Sequence, residues 1–115
     1  MGCGRKSWEW ERVEVQVPQP LLSRAAELLG ALAEHPEKFF ELETSERLLV
    51  LHHLASAPVE DLLSKHGALV ELIAQRDMPL FIILFRMMDT RRRLALVWSK
   101  PALVERAARA IESYL

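Results

Sequence analysis

Pro-Leu-Phe-Ile-Ile-Leu-Phe-Arg-Met-Met-Asp-Thr-Arg-Arg-Arg-Leu-Ala-Leu-Val-Trp, residues 79–98, is the stretch that decides the fold class of this chain. It contains an apolar run, Leu80–Phe85, a polar break, Asp89–Arg93, and a second apolar run, Leu94–Trp98. Two short apolar runs around a polar break are typical of a β-hairpin. The stretch therefore predicts a hairpin with three arginines at its tip.

A second candidate strand lies near the N-terminus. Valines alternate with polar residues over Val13–Val17, which is the pattern of a half-buried strand. A lone strand needs a partner, and the predicted hairpin is the only candidate. We therefore expect an α+β fold in which Val13–Val17, Leu80–Met87 and Leu94–Trp98 form a three-stranded antiparallel sheet with helices on one face.

An all-α bundle is the alternative interpretation of residues 78–98. In that interpretation the stretch forms two helices, with Asp77 capping the first and Thr90 capping the second. The β-branched and aromatic content of Phe81–Ile83 favours the hairpin, as does the absence of a polar face from Pro79 to Phe85.

The rest of the chain has helical signals. Apolar residues recur at helical spacing from Leu21 to Leu32, with His35-Pro36 closing that helix. Caps and prolines predict further helices over 46–55, 58–66, 68–75 and 101–115. Thr44 or Ser45 is the expected cap of the first of these, and Gly67 is expected to end the second as a left-handed cap.

Size and composition indicate one ordinary globular domain. The chain has 115 residues, of which 50% are hydrophobic and 27% are charged, which argues against a disordered chain. We expect a single domain over 8–115 after a flexible segment, 1–7. Its net charge of −1 argues against bulk polyanion binding, although residues 86–115 hold seven basic and three acidic side chains. Cys3 is the only cysteine, so no intrachain disulfide can form, and a cytoplasmic location is expected.

The predicted element order resembles a winged-helix domain. The residues that carry this resemblance are Arg47–Leu54, Val59–Gly67 and the hairpin tip Asp89–Arg93, and the similarity covers about half of the chain. The resemblance implies a nucleic-acid-binding regulator whose third helix enters the DNA major groove and whose hairpin forms the wing. The corresponding helix here would be residues 68–75.

Nucleic-acid contact is one function that the basic C-terminal third supports. Arginines can neutralise phosphates and fix the position of a protein on a duplex without reading its sequence. The alternative is a solvated turn whose arginines keep a sheet edge from pairing with other chains. The candidate contact residues are Arg91, Arg92, Arg93, Lys100 and Arg106.

Protein association is the function that the predicted sheet favours. Apolar residues occupy both faces of the strand Leu80–Met87, whereas the helices of so small a domain cover only one face. We therefore expect the second face to be covered by a homodimer or by a partner protein. The candidate interface residues are Trp8, Trp10, Ile82, Ile83 and Trp98.

Catalysis, metals and cofactors find no support in the sequence. The four histidines form no i, i+4 pair, and no Cys-x-x-Cys motif is present, so no metal site is predicted. No nucleophile with a matching base and no carboxylate pair is visible, so we expect a non-enzymatic protein without a cofactor.

Lipid anchoring is a further alternative. Gly2 and Cys3 resemble the start of doubly acylated, membrane-anchored proteins, for which two acyl chains give stable binding. The usual hydroxyl residue is replaced by Lys6, so membrane association is not our expectation. The main prediction is a regulatory or adaptor module that acts through protein association.

Overall fold

The structure is a computed structural model that describes residues 18–114. Within this range it contains seven α-helices, one 3-10 helix and no strand. The elements in chain order are α1 (Gln19–Glu34), the 3-10 helix (Pro36–Glu41), α2 (Thr44–Ala55), α3 (Val59–Leu63), α4 (Gly67–Arg76), α5 (Met78–Met87), α6 (Thr90–Ser99) and α7 (Pro101–Tyr114).

The predicted hairpin is wrong, because its two arms are helices. Leu80–Met87 lies in α5 and Leu94–Trp98 lies in α6. Each helix begins at an aspartate: the Asp77 carboxylate accepts a hydrogen bond from the Leu80 amide at 3.3 Å, and the Asp89 carboxylate accepts one from the Arg92 amide at 2.9 Å. Asp89, one residue before Thr90, is therefore the second cap.

Helix α5 has no polar face from Pro79 to Phe85, because its exposed as well as its buried side chains are apolar there. The helix packs against α2, α4 and α7, and the side chains of Phe81 and Leu84 are fully buried. Ile83 is 42% exposed, so the outward side of the helix is apolar as well. Packing of Phe81 and Leu84 against the neighbouring helices overrides the β preference of Phe81–Ile83.

The α+β prediction and the winged-helix-like order are corrected by this result. Without the hairpin there is no wing, and the described residues contain no sheet for it to join. The third predicted strand, Val13–Val17, lies outside the described residues. The alternative of an all-α bundle is the architecture that residues 18–114 adopt.

Three smaller predictions also differ. The helix expected over 58–66 ends early, as α3 (Val59–Leu63), and Gly67 begins α4 instead of capping α3. No glycine in the described residues has a positive φ, so the left-handed cap is wrong. Neither Thr44 nor Ser45 caps α2, because its N-cap position is Glu43 and no side chain bonds there.

Three helices end at corners with nearly the same backbone shape. His35, Asp77 and Lys100 have φ of −136°, −146° and −137° and ψ of 72°, 75° and 59°. In each case the corner amide still donates to the carbonyl four residues earlier, and a proline follows within two residues. The chain therefore turns from one helix directly into the next without a loop.

The core lies where α1, α2, α4 and α5 meet, with α7 closing one side. α1 packs mainly on α2, while α6 contacts α3 and α7. The largest fully buried side chains are Phe39, Phe81, Leu51, Leu54, Leu62, Leu69, Ile73, Leu84, Leu96, Val50 and Val70.

Candidate functional site

Arg92 ties α6 to the end of α2. Its Nε donates to the Ala57 carbonyl at 2.7 Å, and its Nη2 donates to the Ser56 carbonyl at 3.2 Å. Its Nη1 pairs with the Asp89 carboxylate at 2.6 Å. The guanidinium thus satisfies carbonyls just beyond the C-terminus of α2, where helix geometry leaves acceptors without partners.

Arg93 plays the same part at the end of α5. Its Nε donates to the Phe85 carbonyl at 3.0 Å, and its Nη2 donates to the Arg86 carbonyl at 2.8 Å. Its guanidinium carbon also lies 5.8 Å from the centre of the Phe85 ring. Arg93 therefore holds the C-terminal end of α5 against α6.

The five predicted nucleic-acid contacts fall into two groups. Arg92 and Arg93 are engaged within the protein, and the Lys100 ammonium pairs with the Glu71 carboxylate at 3.1 Å. Arg91 and Arg106 are exposed. The structure thus leaves only two of the five side chains displayed to solvent without an intramolecular partner among the described residues.

The outward face of α6 is apolar. Leu94, Val97 and Trp98 are 51%, 40% and 83% exposed, and their i, i+3, i+4 spacing places them on one side of the helix. Leu96 is the one fully buried side chain of α6.

The neighbouring helix α5 adds two more exposed apolar side chains. Ile83 and Met87, spaced i, i+4, are 42% and 40% exposed. Together with Leu94, Val97 and Trp98 they account for five of the eight large exposed hydrophobic residues in the described chain. We call these five residues the α5–α6 surface, since they are the exposed apolar side chains of two consecutive helices that Arg93 joins at one end.

The structure exposes only some of the predicted interface residues. Ile83 on α5 and Trp98 on α6 are exposed, whereas Ile82 is half-buried and packs against the core. Trp8 and Trp10 lie outside the described residues, as do Gly2 and Cys3.

Sequence reasoning missed Met87, Leu94 and Val97. The signal that could have found them is the helical spacing of Ile83 with Met87 and of Leu94 with Trp98. An interpretation that assigns both segments to strands does not use this spacing, because side chains in a strand alternate between two faces.

Neither a metal centre nor a membrane span is found among residues 18–114. No three metal-ligating side chains come together there, and none of the helices combines the length and the apolar composition that crossing a bilayer requires.

Comparison of the chain with protein-family models, with curated proteins and with solved structures finds no match. The part of the chain that the structure describes, residues 18–114, is a small helical domain with exposed apolar side chains on α5 and α6 and exposed arginines, Arg86 and Arg91, on the same helices.

Proposed function

We propose that this protein is a non-enzymatic regulatory or adaptor module that associates with another protein chain through the α5–α6 surface. The observation that carries the proposal is Trp98, a large aromatic side chain that is 83% exposed and flanked by Leu94 and Val97. Exposed apolar groups clustered in this way usually mark interfaces on proteins. Tryptophan is also among the residues that contribute most binding energy at interfaces.

The support beneath this surface favours binding. Arg92 fixes α6 to the end of α2, and Arg93 fixes it to the end of α5. A surface whose backbone is already held in place loses little conformational entropy when a partner binds. The internal arginines thus serve the proposed function by preorganising the helix that carries Trp98.

Exposed arginines next to the apolar side chains indicate the charge expected on the partner's surface. Arg86, between Ile83 and Met87 in sequence, and Arg91, one helical turn before Leu94, are both exposed. A partner that matches this arrangement offers an apolar patch flanked by carboxylates, since opposite charges at the rim of an interface favour encounter and correct orientation. A second copy of this chain and a different protein are the two sources of such a surface.

The test compares Trp98→Ala with Leu48→Ala. Leu48 is the matched control, because it is a 44% exposed apolar side chain on α2, which carries none of the five residues of the α5–α6 surface. The mass of the full chain is first measured by light scattering across a range of concentrations, which shows whether a second copy binds. If the chain is monomeric, the affinity of an isolated partner protein is measured for the unmodified protein and for each of the two variants.

The expected result is that Trp98→Ala weakens association at least about tenfold, as loss of an interface hot spot does, while Leu48→Ala leaves it within about twofold. Association that Trp98→Ala and Leu94→Ala both leave unchanged would contradict the proposal.

Nucleic-acid binding remains the second candidate function, supported by the two exposed arginines, Arg91 and Arg106. Phosphate contacts weaken steeply with salt, whereas apolar interfaces do not. Duplex binding at low salt that Arg91→Ala and Arg106→Ala together abolish would support this candidate. An absence of duplex and single-strand binding at low salt would exclude it. Lipid anchoring through Gly2 and Cys3, and a cytoplasmic location, stay predictions.

A further inference from the structure

His66 stands at the junction between α3 and α4, as the residue that directly precedes the first turn of α4. The residue is only 5% exposed, and its Nδ1 is sealed from solvent without a hydrogen-bond partner among residues 18–114. Both nitrogens of a charged imidazole are donors, so protonation would leave a buried N–H without an acceptor. The closed domain therefore accommodates the neutral ring and not the charged one.

The charged groups around His66 do not compensate for its burial. Lys65, next to it in the chain, and His53 on α2 both disfavour a positive ring, whereas the Asp61 carboxylate on α3 favours it. α1 lines the same cleft with two apolar side chains and a glycine, and so adds no ionisable group. Burial is the largest of these effects, and the pKa of His66 therefore lies below its ordinary value of 6.5.

Two basic groups reach this region from α6 and its final corner, and both are already paired. The Arg92 guanidinium, which contacts the cleft beside His66, pairs with the Asp89 carboxylate. The Lys100 ammonium lies close to the first residue of α4 and pairs with the Glu71 carboxylate. Neither carboxylate is thus available to a charged His66.

The cleft beside His66 also contains the attachment of α6. Ser56 and Ala57 line it together with His66, and their carbonyls accept the hydrogen bonds of Arg92. α3 follows these residues directly and packs against both α4 and α6. It is only five residues long, and Leu62 is its one buried side chain. A short helix with little buried area opens at low cost in free energy, so a motion that exposes His66 also disturbs the groups that hold α6.

We infer that the domain contains a pH-sensitive switch, in which protonation of His66 opens α3 and its junction with α4 and loosens the attachment of α6. In the open form water satisfies both ring nitrogens, so this form binds the additional proton more readily. The closed form is therefore fully favoured above pH 6.5, and the open form gains population as the pH falls from 6.5 toward the pKa of the folded protein. The switch concerns the attachment of α6 itself and is independent of what α6 binds.

The first experiment is amide hydrogen exchange, followed by NMR on the full chain from about pH 7.5 to about pH 5.5, a range that brackets histidine titration. We expect α3 and α6 to exchange through an opening that is more frequent than the opening of α5. The equilibrium constants for opening α3 and α6 should be constant above pH 6.5 and rise together below it, by up to about tenfold per pH unit. An α6 opening that does not vary with pH, or one that occurs only together with α5, would overturn the inference.

The second experiment changes the histidines. His66→Gln should remove the pH dependence of α6 opening in a protein that circular dichroism shows to be folded. His35→Gln, at an exposed histidine after α1, should retain it. His52→Gln should also retain it, although the Nδ1 of His52 is likewise buried without a partner. A pH dependence that persists in His66→Gln, or that His52→Gln removes, would contradict the switch.

A third variant tests the link between the junction and α6 without changing a histidine. Arg92→Ala removes the bonds to the Ser56 and Ala57 carbonyls and should raise the opening constant of α6 at least about fivefold at neutral pH. The opening of α3 should keep its dependence on pH in this variant. An unchanged opening constant of α6 in Arg92→Ala would show that the cleft does not hold α6, and the switch would then lack its mechanism.

Discussion

Helices α5 and α6 are both ten residues long and both begin at a capping aspartate, yet they are attached to the domain in opposite ways. α5 is held by its apolar side chains, with Phe81 and Leu84 fully buried. α6 buries only Leu96 completely; besides its packing on α3 and α7, it is held by the guanidinium groups of Arg92 and Arg93. Its remaining apolar side chains point outward.

The difference between the two helices shows that a charged residue in the sequence is not necessarily exposed in the structure. Arg92 and Arg93 turn inward because helix C-termini expose carbonyls that need donors, and the arginine fork supplies several donors at once. Leu94, Val97 and Trp98 then occupy the other side of the same helix and remain exposed. In α6, therefore, two arginines contact the rest of the domain and apolar side chains are exposed, which is the opposite of an ordinary amphipathic helix.

The largest expected effect separates the apolar attachment of α5 from the outward face of α6. Phe81→Ala should lower the free energy of unfolding by about 3–5 kcal/mol, because the side chain is fully buried and its loss leaves a cavity. Trp98→Ala, at an 83% exposed position, should change it by no more than about 0.5 kcal/mol. Urea unfolding of both variants measures the contrast; a large loss in Trp98→Ala would mean that the indole supports the fold.

The next largest effect is the difference in stability between substitutions at two adjacent isoleucines of α5, Ile82 and Ile83. Ile82→Lys should cost about 2–3 kcal/mol in the free energy of unfolding, since Ile82 packs against the core. Ile83→Lys, at a 42% exposed position, should leave stability within about 0.5 kcal/mol and weaken partner binding. Chemical denaturation and a binding titration separate the two outcomes. Equal destabilisation by both substitutions would contradict the assigned faces of α5.

A smaller effect tests the polar attachment of α6. Arg92→Ala leaves the Ser56 and Ala57 carbonyls without their donor and should cost about 1–3 kcal/mol. Arg91→Ala, its exposed neighbour, should cost no more than about 0.5 kcal/mol. Thermal unfolding of the two variants provides the comparison. Identical melting temperatures would show that Arg92 contributes nothing to stability.

The smallest effect concerns His66 and pH. Because the pKa of His66 in the folded protein lies below its ordinary value of 6.5, the unfolded chain binds more protons between the two values. The contribution of this group to stability is therefore complete above pH 6.5 and falls as the pH decreases through 6.5 toward the folded pKa. The slope is at most about 1.4 kcal/mol per pH unit. His66→Gln should remove this part of the pH dependence, and an unchanged profile in urea unfolding would contradict it.

The sequence predicted correctly those helices whose signals lie within or directly next to their own residues. α1 and α7 were predicted because their apolar residues repeat at helical spacing, and α2 because Thr44 or Ser45 was expected to cap it and Pro58 to end it. The prediction failed at α5, because the residues from Pro79 to Phe85 are apolar on the exposed as well as on the buried side of the helix, and a short apolar run of this kind resembles a strand. The decisive signals, Asp77 and Asp89 at the N-caps, are local and were available.

The candidate surface was less accessible to sequence reasoning. Ile83 and Trp98 were named as interface residues, but Ile82 was grouped with them because a strand interpretation cannot tell which of two isoleucines faces a helical core. The inward direction of Arg92 and Arg93 depends on carbonyls up to 36 residues away in the chain. No local pattern contains that information.

The hydrogen bonds of Arg92 join residues that are far apart in the sequence, and this separation affects the order in which the helices dock during folding. Most contacts join helices that are close in sequence, which favours rapid folding, whereas the Arg92 bonds close a separation of 35 and 36 residues. Closing so long a segment costs entropy that only a nearly complete domain compensates. Docking of α6 is thus expected late on the folding pathway. Arg92→Ala should then speed unfolding while leaving the folding rate nearly unchanged, as stopped-flow measurements would show.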